Sequence, residues 1–195
     1  MSHNIAYQKM KLANSQIRIG IAKNNIDFDS SRWNLIGRIV QIFRNFFWNN
    51  YFLKKISGNC DFIGLNFYTH KHFGYKFYED KSDLGWPIYP KAIYHVLKEL
   101  KQYNKPIYIT ENGIADAGDT KRAKYIRNHL YWVGRAIQDG IDVGGYFYWS
   151  LIDNYEWEHG FGPRFGLVEI NYETLERKIR PSAYEYKKIC ESHSL

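Results

Sequence analysis

The sequence has few cysteines and few prolines, and it lacks the marks of several protein classes. Its 195 residues include two cysteines and five prolines. Cys60 and Cys190 lie far apart and in no metal-ligand spacing, which favours reduced thiols. The chain contains no Asn-x-Ser/Thr glycosylation site, and its first residues do not form a basic-then-apolar leader. We therefore expect a cytoplasmic location.

Uninterrupted apolar runs and nucleic-acid-binding motifs are also absent. The most apolar stretch, residues 35–56, is broken by Arg38, Arg44, Lys54 and Lys55, so it does not predict a membrane span. The net charge of +7 is spread along the chain. No helix-turn-helix, zinc-finger or RNP-like pattern accompanies that charge. We therefore expect neither a membrane nor a nucleic acid among the partners.

Helical and strand-like apolar patterns alternate along the chain. The pattern predicts five helices: residues 3–14, residues 32–56, a helix that begins at Pro90, a helix capped by Asp119 or Thr120, and residues 182–190. It predicts four strands, over residues 17–22, 61–68, 107–110 and 144–150. Loops are predicted after the first strand as far as residue 31 and over residues 69–89. Such alternation predicts a parallel sheet. No Gly-rich phosphate fingerprint follows any strand, which disfavours a dinucleotide-binding fold.

The number of strands limits the architecture further. A closed (β/α)8 barrel needs about 250 residues, and four strands are too few to close one. The sequence therefore predicts an α/β fold that is part of a TIM barrel, organised as a single partial domain over residues 1–195.

Two carboxylates follow neighbouring predicted strands. Glu111 comes at the end of the third strand, which the turn dipeptide Asn112-Gly113 is predicted to end, and Glu156 follows the fourth strand. Paired carboxylates at the C-terminal edge of a barrel suggest glycoside hydrolysis. Aromatic residues make up 18% of the chain, and Trp149 and Trp157 flank Glu156. Each of these two side chains could stack on a sugar ring, and each could equally be packed in the core.

Five segments, in order and at matching spacing, resemble one enzyme family. They are DFIGLNFY at residues 61–68, ITENG at 109–113, WSLIDNYEW at 149–157, GPRFGL at 162–167 and RPSA at 180–183. With these motifs the chain resembles the C-terminal half of a glycoside hydrolase family 1 enzyme, the β-glucosidase and β-galactosidase family. The resemblance implies roughly strands 5–8 of the TIM barrel with their helices.

The resemblance also implies roles for individual residues. Glu111 would be the nucleophile of a retaining β-glycosidase and would form a glycosyl-enzyme intermediate, while Tyr68 would donate a hydrogen bond to it. The implied substrate-binding residues are Asn66, Trp149, Glu156, Trp157 and Phe165. Neither a cofactor nor a metal is expected, and His70, His72 and His159 are interpreted as polar loop residues.

The chain departs from the family pattern in one respect that bears on catalysis. The family's general acid/base is a Glu in an Asn-Glu-Pro motif after the fourth barrel strand, and no Asn-Glu-Pro occurs in this sequence. The resemblance therefore implies a truncated or split half that would pair with a missing N-terminal half or with itself. Two alternatives remain: a non-catalytic carbohydrate-binding remnant and a structural half-barrel.

Overall fold

The structure is a computed structural model that describes residues 2–74 and 80–195. Its helices are α1 (Ser2–Ala13), α2 (Leu35–Arg44), α3 (Tyr51–Ile56), α4 (Lys91–Leu100), α5 (Arg122–Gln138) and α6 (Pro181–Ser192), and its strands are β1 (Gly20–Ser30), β2 (Phe62–Phe73), β3 (Ile107–Asn112), β4 (Val143–Tyr148), β5 (Val168–Ile170) and β6 (Arg177–Ile179). None of the helices in the described residues is both long and apolar enough to cross a membrane.

Strands β1 to β4 form a parallel sheet in the order β1-β2-β3-β4. Each crossover between neighbouring strands contains a helix, because parallel strands cannot be joined by a tight turn. The predicted alternation and the parallel sheet are therefore confirmed. Within the described part of the chain, β1 and β4 are the edges of this sheet, and β5 and β6 form a separate antiparallel pair.

The outer face of the sheet is the face covered by helices. Alternate residues of β2 and β3 point to this face, and Leu65, Ile107 and Ile109 are fully buried there. Helix α4 packs on them with an apolar stripe at helical spacing that includes Ile93, Val96, Leu97 and Leu100. Burying each such side chain contributes about 1.5–3 kcal/mol, so this layer is the main core.

The inner face of the sheet carries the other half of each strand's side chains. Phe62, Tyr108, Thr110 and Phe147 line an open, mostly apolar depression on this side, together with Arg18. Phe147 is 58% exposed. In a closed barrel this face would meet side chains from the remaining strands, since the interior of a small barrel is filled by its own side chains.

Two predicted loops are wrong in part, and residues 75–79 of the second one lie outside the described residues. Strand β1 continues to Ser30 and β2 to Phe73, and the two pair as far as Ser30 with Phe73. Polar residues at these strand ends indicated a loop. They are instead accommodated by pairing, as in the hydrogen bond between Asp27 and His70.

The helix predicted over residues 32–56 is one helical region divided into three segments. Helix α2 is followed by a π-helical segment, Asn45–Asn50, and then by α3. The predicted cap of α5 is wrong: the carboxylate of Asp116 accepts from the backbone N–H groups of Lys121 and Arg122 at 2.8 and 2.9 Å. The β5–β6 hairpin was not predicted.

Candidate active site

The candidate site lies at the C-terminal ends of β2, β3 and β4, where a parallel sheet presents its functional groups. Glu111 is the penultimate residue of β3, so the strand extends beyond the predicted end at residue 110. Asn66 of β2 is its register partner, next to an irregularity in the ladder between Leu65 and Asn66. The two predicted residues are therefore adjacent across the sheet.

Glu111 and Tyr68 are in direct contact. The Tyr68 hydroxyl donates a short hydrogen bond to Oε2 of Glu111, and both side chains are half-buried. Burial, followed by the hydrogen bond to Glu111, raises the pKa of Tyr68 far above its ordinary value. The charges of Glu111 and Glu156 both contribute to that rise, so the two carboxylates act on the same hydroxyl. Tyr68 therefore remains a hydrogen-bond donor to Glu111 across the physiological pH range.

Asn66 is held by a neighbouring strand. Thr110 donates its hydroxyl to Oδ1 of Asn66 at 2.6 Å. This bond occupies the carbonyl oxygen and leaves the amide nitrogen as the donor end of the side chain. Asn66 can therefore offer N–H groups beside Glu111.

Aromatic rings surround Tyr68. Phe165, which is 2% exposed, lies edge-to-face with Tyr68 at a centroid distance of 6.1 Å. Trp86 lies 6.0 Å from Tyr68 and 6.4 Å from Phe165. Edge-to-face rings contribute about 0.5–1.5 kcal/mol beyond simple burial. The three rings form one wall of the site, and Trp86 belongs to it although it was not among the principal predicted residues.

Trp149 and Glu156 are joined by a hydrogen bond. Nε1 of Trp149 donates to Oε1 of Glu156 at 3.2 Å. The peptide bond between Trp149 and Ser150 is cis. Gly113 faces this segment so closely that a Cβ there would lie 1.7 Å from the carbonyl oxygen of Trp149. Only glycine fits that position, which explains the glycine after Asn112.

Trp157 differs from the other predicted residues. Its side chain is 83% exposed and its backbone has a positive φ of 48°. The indole therefore presents a free apolar face on the loop that follows β4. Of the two tryptophans considered in the sequence, Trp149 is half-buried and Trp157 is exposed, so neither is an ordinary core residue.

A buried hydrogen-bond network lies directly beside Glu111. The side chain of Asn112 donates to the carbonyl oxygen of Phe67 at 2.7 Å and to the Tyr125 hydroxyl at 2.9 Å, and accepts from Tyr146 at 2.8 Å. Asn112 was interpreted as half of a turn dipeptide. The signal that could have corrected this is its place directly after a run of strand residues, because Asn112 continues β3 and pairs with Phe67 and Tyr148 in the sheet.

A buried ion pair anchors the loop that carries Trp149 and Glu156. Arg180, at the start of α6, forms two bonds of 3.0 Å to the carboxylate of Asp153, and both residues are buried. The same carboxylate accepts from the backbone N–H of Gly166 at 2.8 Å. Such bidentate pairs are geometrically specific. The sequence motifs contained these residues, but spacing alone did not reveal their contact.

A second polar cluster lies at the ends of β1 and β2. Asp27 accepts from Nδ1 of His70 at 2.8 Å and of His95 at 3.1 Å. Burial acts to raise the pKa of Asp27, but the hydrogen bonds from the two histidines outweigh it, so the pKa is lowered. Asp29, His70 and His72 bring donor atoms within 4.8 Å of one another and could together approach a metal ion. His70 and His72 lie in β2, not in the predicted loop.

The sequence matches a known family and is similar to curated proteins of other organisms. Residues 69–195 match the family model of glycosyl hydrolase family 1. The chain is 40% identical over 168 residues to "Beta-glucosidase A" of Acetivibrio thermocellus, a match that covers 72% of this chain and 37% of that protein. It is 41% identical over 164 residues to a "Beta-galactosidase" of Sulfolobus acidocaldarius, and this match covers 73% of this chain and 33% of that protein.

The fold is similar to that of solved family members. The chain superimposes on the "beta-glycosidase from Pyrococcus horikoshii" with a TM-score of 0.89 and 41% identity, covering 97% of this chain and 51% of that one. The chain thus spans about a third of the length of the curated relatives and about half of this structure. Since the neighbours are TIM-barrel proteins, the predicted fold class is confirmed.

Proposed function

Because this chain belongs to glycosyl hydrolase family 1, we propose that it provides the nucleophile half of a retaining β-glycosidase. The observation that carries the proposal is the hydrogen bond from Tyr68 to Glu111 at the C-terminal ends of neighbouring parallel strands. A carboxylate held by one positioned donor retains a second oxygen for attack. This is the arrangement that nucleophilic catalysis by a carboxylate requires.

The proposed reaction has two steps. The carboxylate of Glu111 attacks the anomeric carbon, forms a glycosyl ester and displaces the leaving group, which departs with the bonding electron pair. Water then attacks the same carbon and releases both the sugar and the carboxylate. A proton must reach the leaving oxygen in the first step unless the leaving group is a stable anion, and a base must accept a proton from water in the second.

The proposed sugar-binding residues are Trp149, Glu156, Trp157 and Phe165, with Asn66 beside Glu111. Trp149 would lie under the sugar ring, and Glu156, already hydrogen-bonded to its indole, would accept from sugar hydroxyls. Trp157 would add an exposed apolar face, and Phe165 would close the pocket beside Tyr68. The names of the relatives, beta-glucosidase and beta-galactosidase, support terminal β-linked glucose or galactose as the substrate class.

We further propose that the general acid/base comes from polypeptide outside these residues. The sequence contains no Asn-Glu-Pro, and the open inner face around Phe62, Tyr108 and Phe147 is suited to meet further strands. The partner that supplies this residue would be the remaining half of a barrel. A second copy of the chain could cover the inner face, but it has the same sequence and would not supply the missing motif. A chain that ran as a monodisperse monomer and melted cooperatively would contradict the need for such a partner.

The experiment that tests the nucleophile uses dinitrophenyl β-glucoside, whose leaving group needs no general acid. The native chain should release dinitrophenol, and Glu111→Gln should reduce the rate at least about 100-fold because the amide is a poor nucleophile. Glu158→Gln is the matched control, since that side chain is 86% exposed on the same loop as Glu156. It should retain the native rate.

Three results would contradict the proposal. Equal release by the native chain and Glu111→Gln would exclude this carboxylate as the nucleophile. No release by either, together with binding of glucose that is lost in Trp149→Ala, would favour the carbohydrate-binding alternative. Absence of both turnover and sugar binding would favour the structural half-barrel.

A further inference from the structure

Helix α2 is oriented with its polar residues toward the protein. Gly37 is buried, and Gln41 donates to the carbonyl oxygen of Phe28 at 2.9 Å and accepts from the Ser30 hydroxyl at 3.0 Å. In the π-helical segment that continues α2, Asn49 is 1% exposed and exchanges two hydrogen bonds with the backbone of Ile26 at 2.8 and 3.1 Å. A stripe of small and polar residues therefore binds this helix to β1.

The opposite stripe is apolar and faces outward. We call it the α2 surface; its residues, with their exposed fractions, are Leu35 70%, Ile36 77%, Ile39 66%, Ile42 67%, Phe43 65%, Phe46 37% and Phe47 52%. Their spacing of one, three and four residues places them on one side of the helix. An ordinary surface helix shows the reverse arrangement, with its apolar stripe toward the core. The α2 surface is therefore a contiguous exposed apolar patch, and such patches mark interaction sites.

The charged residues of the segment that carries the α2 surface have one sign, and the acidic side chain that contacts this helical region, Glu99 of α4, accepts hydrogen bonds from Asn45 and Asn50. Between Ser30 and Cys60 the chain contains five basic residues, Arg32, Arg38, Arg44, Lys54 and Lys55, and no acidic residue. Arg38 and Arg44 are exposed and flank the apolar stripe on its two sides, since they are offset from it in the helical repeat. Long basic side chains in such positions can extend their charged ends sideways from an apolar layer.

Exposed tryptophans lie at both ends of the helical region. Trp33, just before α2, is 86% exposed, and Trp48, in the π-helical segment, is 48% exposed. Trp is favoured at the boundary between water and lipid, where one part of the ring is apolar and the other can donate a hydrogen bond.

We propose that the α2 surface docks on a membrane containing anionic lipid. An apolar stripe rich in Phe and Ile, flanked by basic residues and free of acidic ones, is the pattern of a helix that lies in the bilayer interface. Charge complementarity favours a membrane with anionic lipid as the binding partner, because anionic headgroups attract each basic residue near the bilayer surface. The proposal departs from the expectation, drawn from the sequence, that no membrane is a partner. That expectation rested on the lack of a membrane span, and an interfacial helix does not cross the bilayer.

The test is flotation of the purified chain with vesicles in a density gradient, which separates bound protein from aggregates that sink. The chain should float with vesicles of phosphatidylcholine and phosphatidylglycerol, and at least about tenfold less with phosphatidylcholine alone. Ile39→Gln/Phe43→Gln should reduce flotation at least about tenfold. Arg38→Gln/Arg44→Gln should reduce the difference between the two kinds of vesicle.

The matched control is Ile5→Gln/Ile137→Gln, which changes two exposed helical residues, 60% and 51% exposed, outside the α2 surface. It should float like the native chain, and all variants should keep the native far-ultraviolet circular dichroism. The proposal is overturned if the native chain remains at the bottom, or if Ile39→Gln/Phe43→Gln floats as well as the native chain. If the native chain does not float and is an oligomer that Ile39→Gln/Phe43→Gln converts to a monomer, the α2 surface binds a second copy of the chain and not a membrane.

Discussion

The two faces of the parallel sheet are built from the same strands but differ in how far their side chains are buried. On the outer face, Leu65, Ile107 and Ile109 are fully buried beneath α4 and its neighbours. On the inner face, Phe147 is 58% exposed, and Tyr108 and Phe62 line an open depression. The helices that cover the outer face come from the crossovers of the chain itself. Covering the inner face requires strands opposite it, which these four strands cannot provide.

This difference teaches where stability and chemistry are located. The closed face supplies most of the apolar burial that holds the sheet together. The open face and its C-terminal edge carry Tyr68, Glu111 and Asn66, whose side chains must remain accessible to a ligand. Substitutions on the two faces should therefore have different consequences.

The largest expected effect is a difference in the free energy of unfolding between a substitution on the outer face and one on the inner face. Leu65→Ala should lower the free energy of unfolding by about 4 kcal/mol, because it leaves a cavity beneath the helices. Phe147→Ala should change it by less than about 1 kcal/mol in the isolated chain, since the ring is already largely in water. Urea unfolding of both variants measures this contrast. Equal losses would mean that the inner face is covered in solution, for example by a second copy.

A smaller effect, dependent on pH, should come from the helix-covered side. Burial lowers the pKa of His129 in α5 to about 4, compared with about 6.5 in an unfolded chain. Between these values the unfolded chain binds a proton that the folded chain does not. The contribution of His129 is therefore complete above about pH 6.5 and is lost as the pH falls toward about 4, by up to about 3 kcal/mol.

Unfolding free energies at about pH 7 and about pH 4.5 measure this loss. In His129→Phe, which cannot titrate, the difference between the two pH values should be smaller by most of that amount. If the native chain and the variant lose stability equally on acidification, the buried histidine is not the responsible group.

The smallest expected effect concerns the open face. Tyr68→Phe removes the donor to Glu111 but keeps the ring that packs on Phe165 and Trp86. We expect kcat/KM for dinitrophenyl β-glucoside to fall about tenfold, which corresponds to about 1.4 kcal/mol, with little change in the free energy of unfolding. Tyr172→Phe, a tyrosine of the β5–β6 region whose hydroxyl binds the backbone of Asn154, is the control. A loss of stability as large as the loss of activity would indicate a structural role for the Tyr68 hydroxyl.

Several features of the site could be predicted because they are local. The strand composition around Glu111 and the glycine that follows Asn112 are properties of a few consecutive residues, and the matching segments identified the family. The strand ends were harder to predict. Polar residues such as Asp27 and His70 indicated a loop, but each is the other's partner across the ladder. The pattern of residues along the chain does not show which polar side chains form hydrogen bonds with one another, and such bonds are what allow polar side chains to be buried in a strand.

The sequence by itself determined the alternation of strands and helices, the parallel sheet and the position of Glu111 at a strand end, because these follow from local periodicity and turn chemistry. Only the tertiary structure decided which side chains meet. The bond between Tyr68 and Glu111 joins residues 43 positions apart, and the pair of Asp153 and Arg180 joins residues 27 apart. The same holds for α2, whose amphipathic pattern predicts a helix but not which stripe faces the protein. That choice depends on β1, whose backbone at Phe28 and Ile26 takes the hydrogen bonds of Gln41 and Asn49 and so turns the apolar stripe outward.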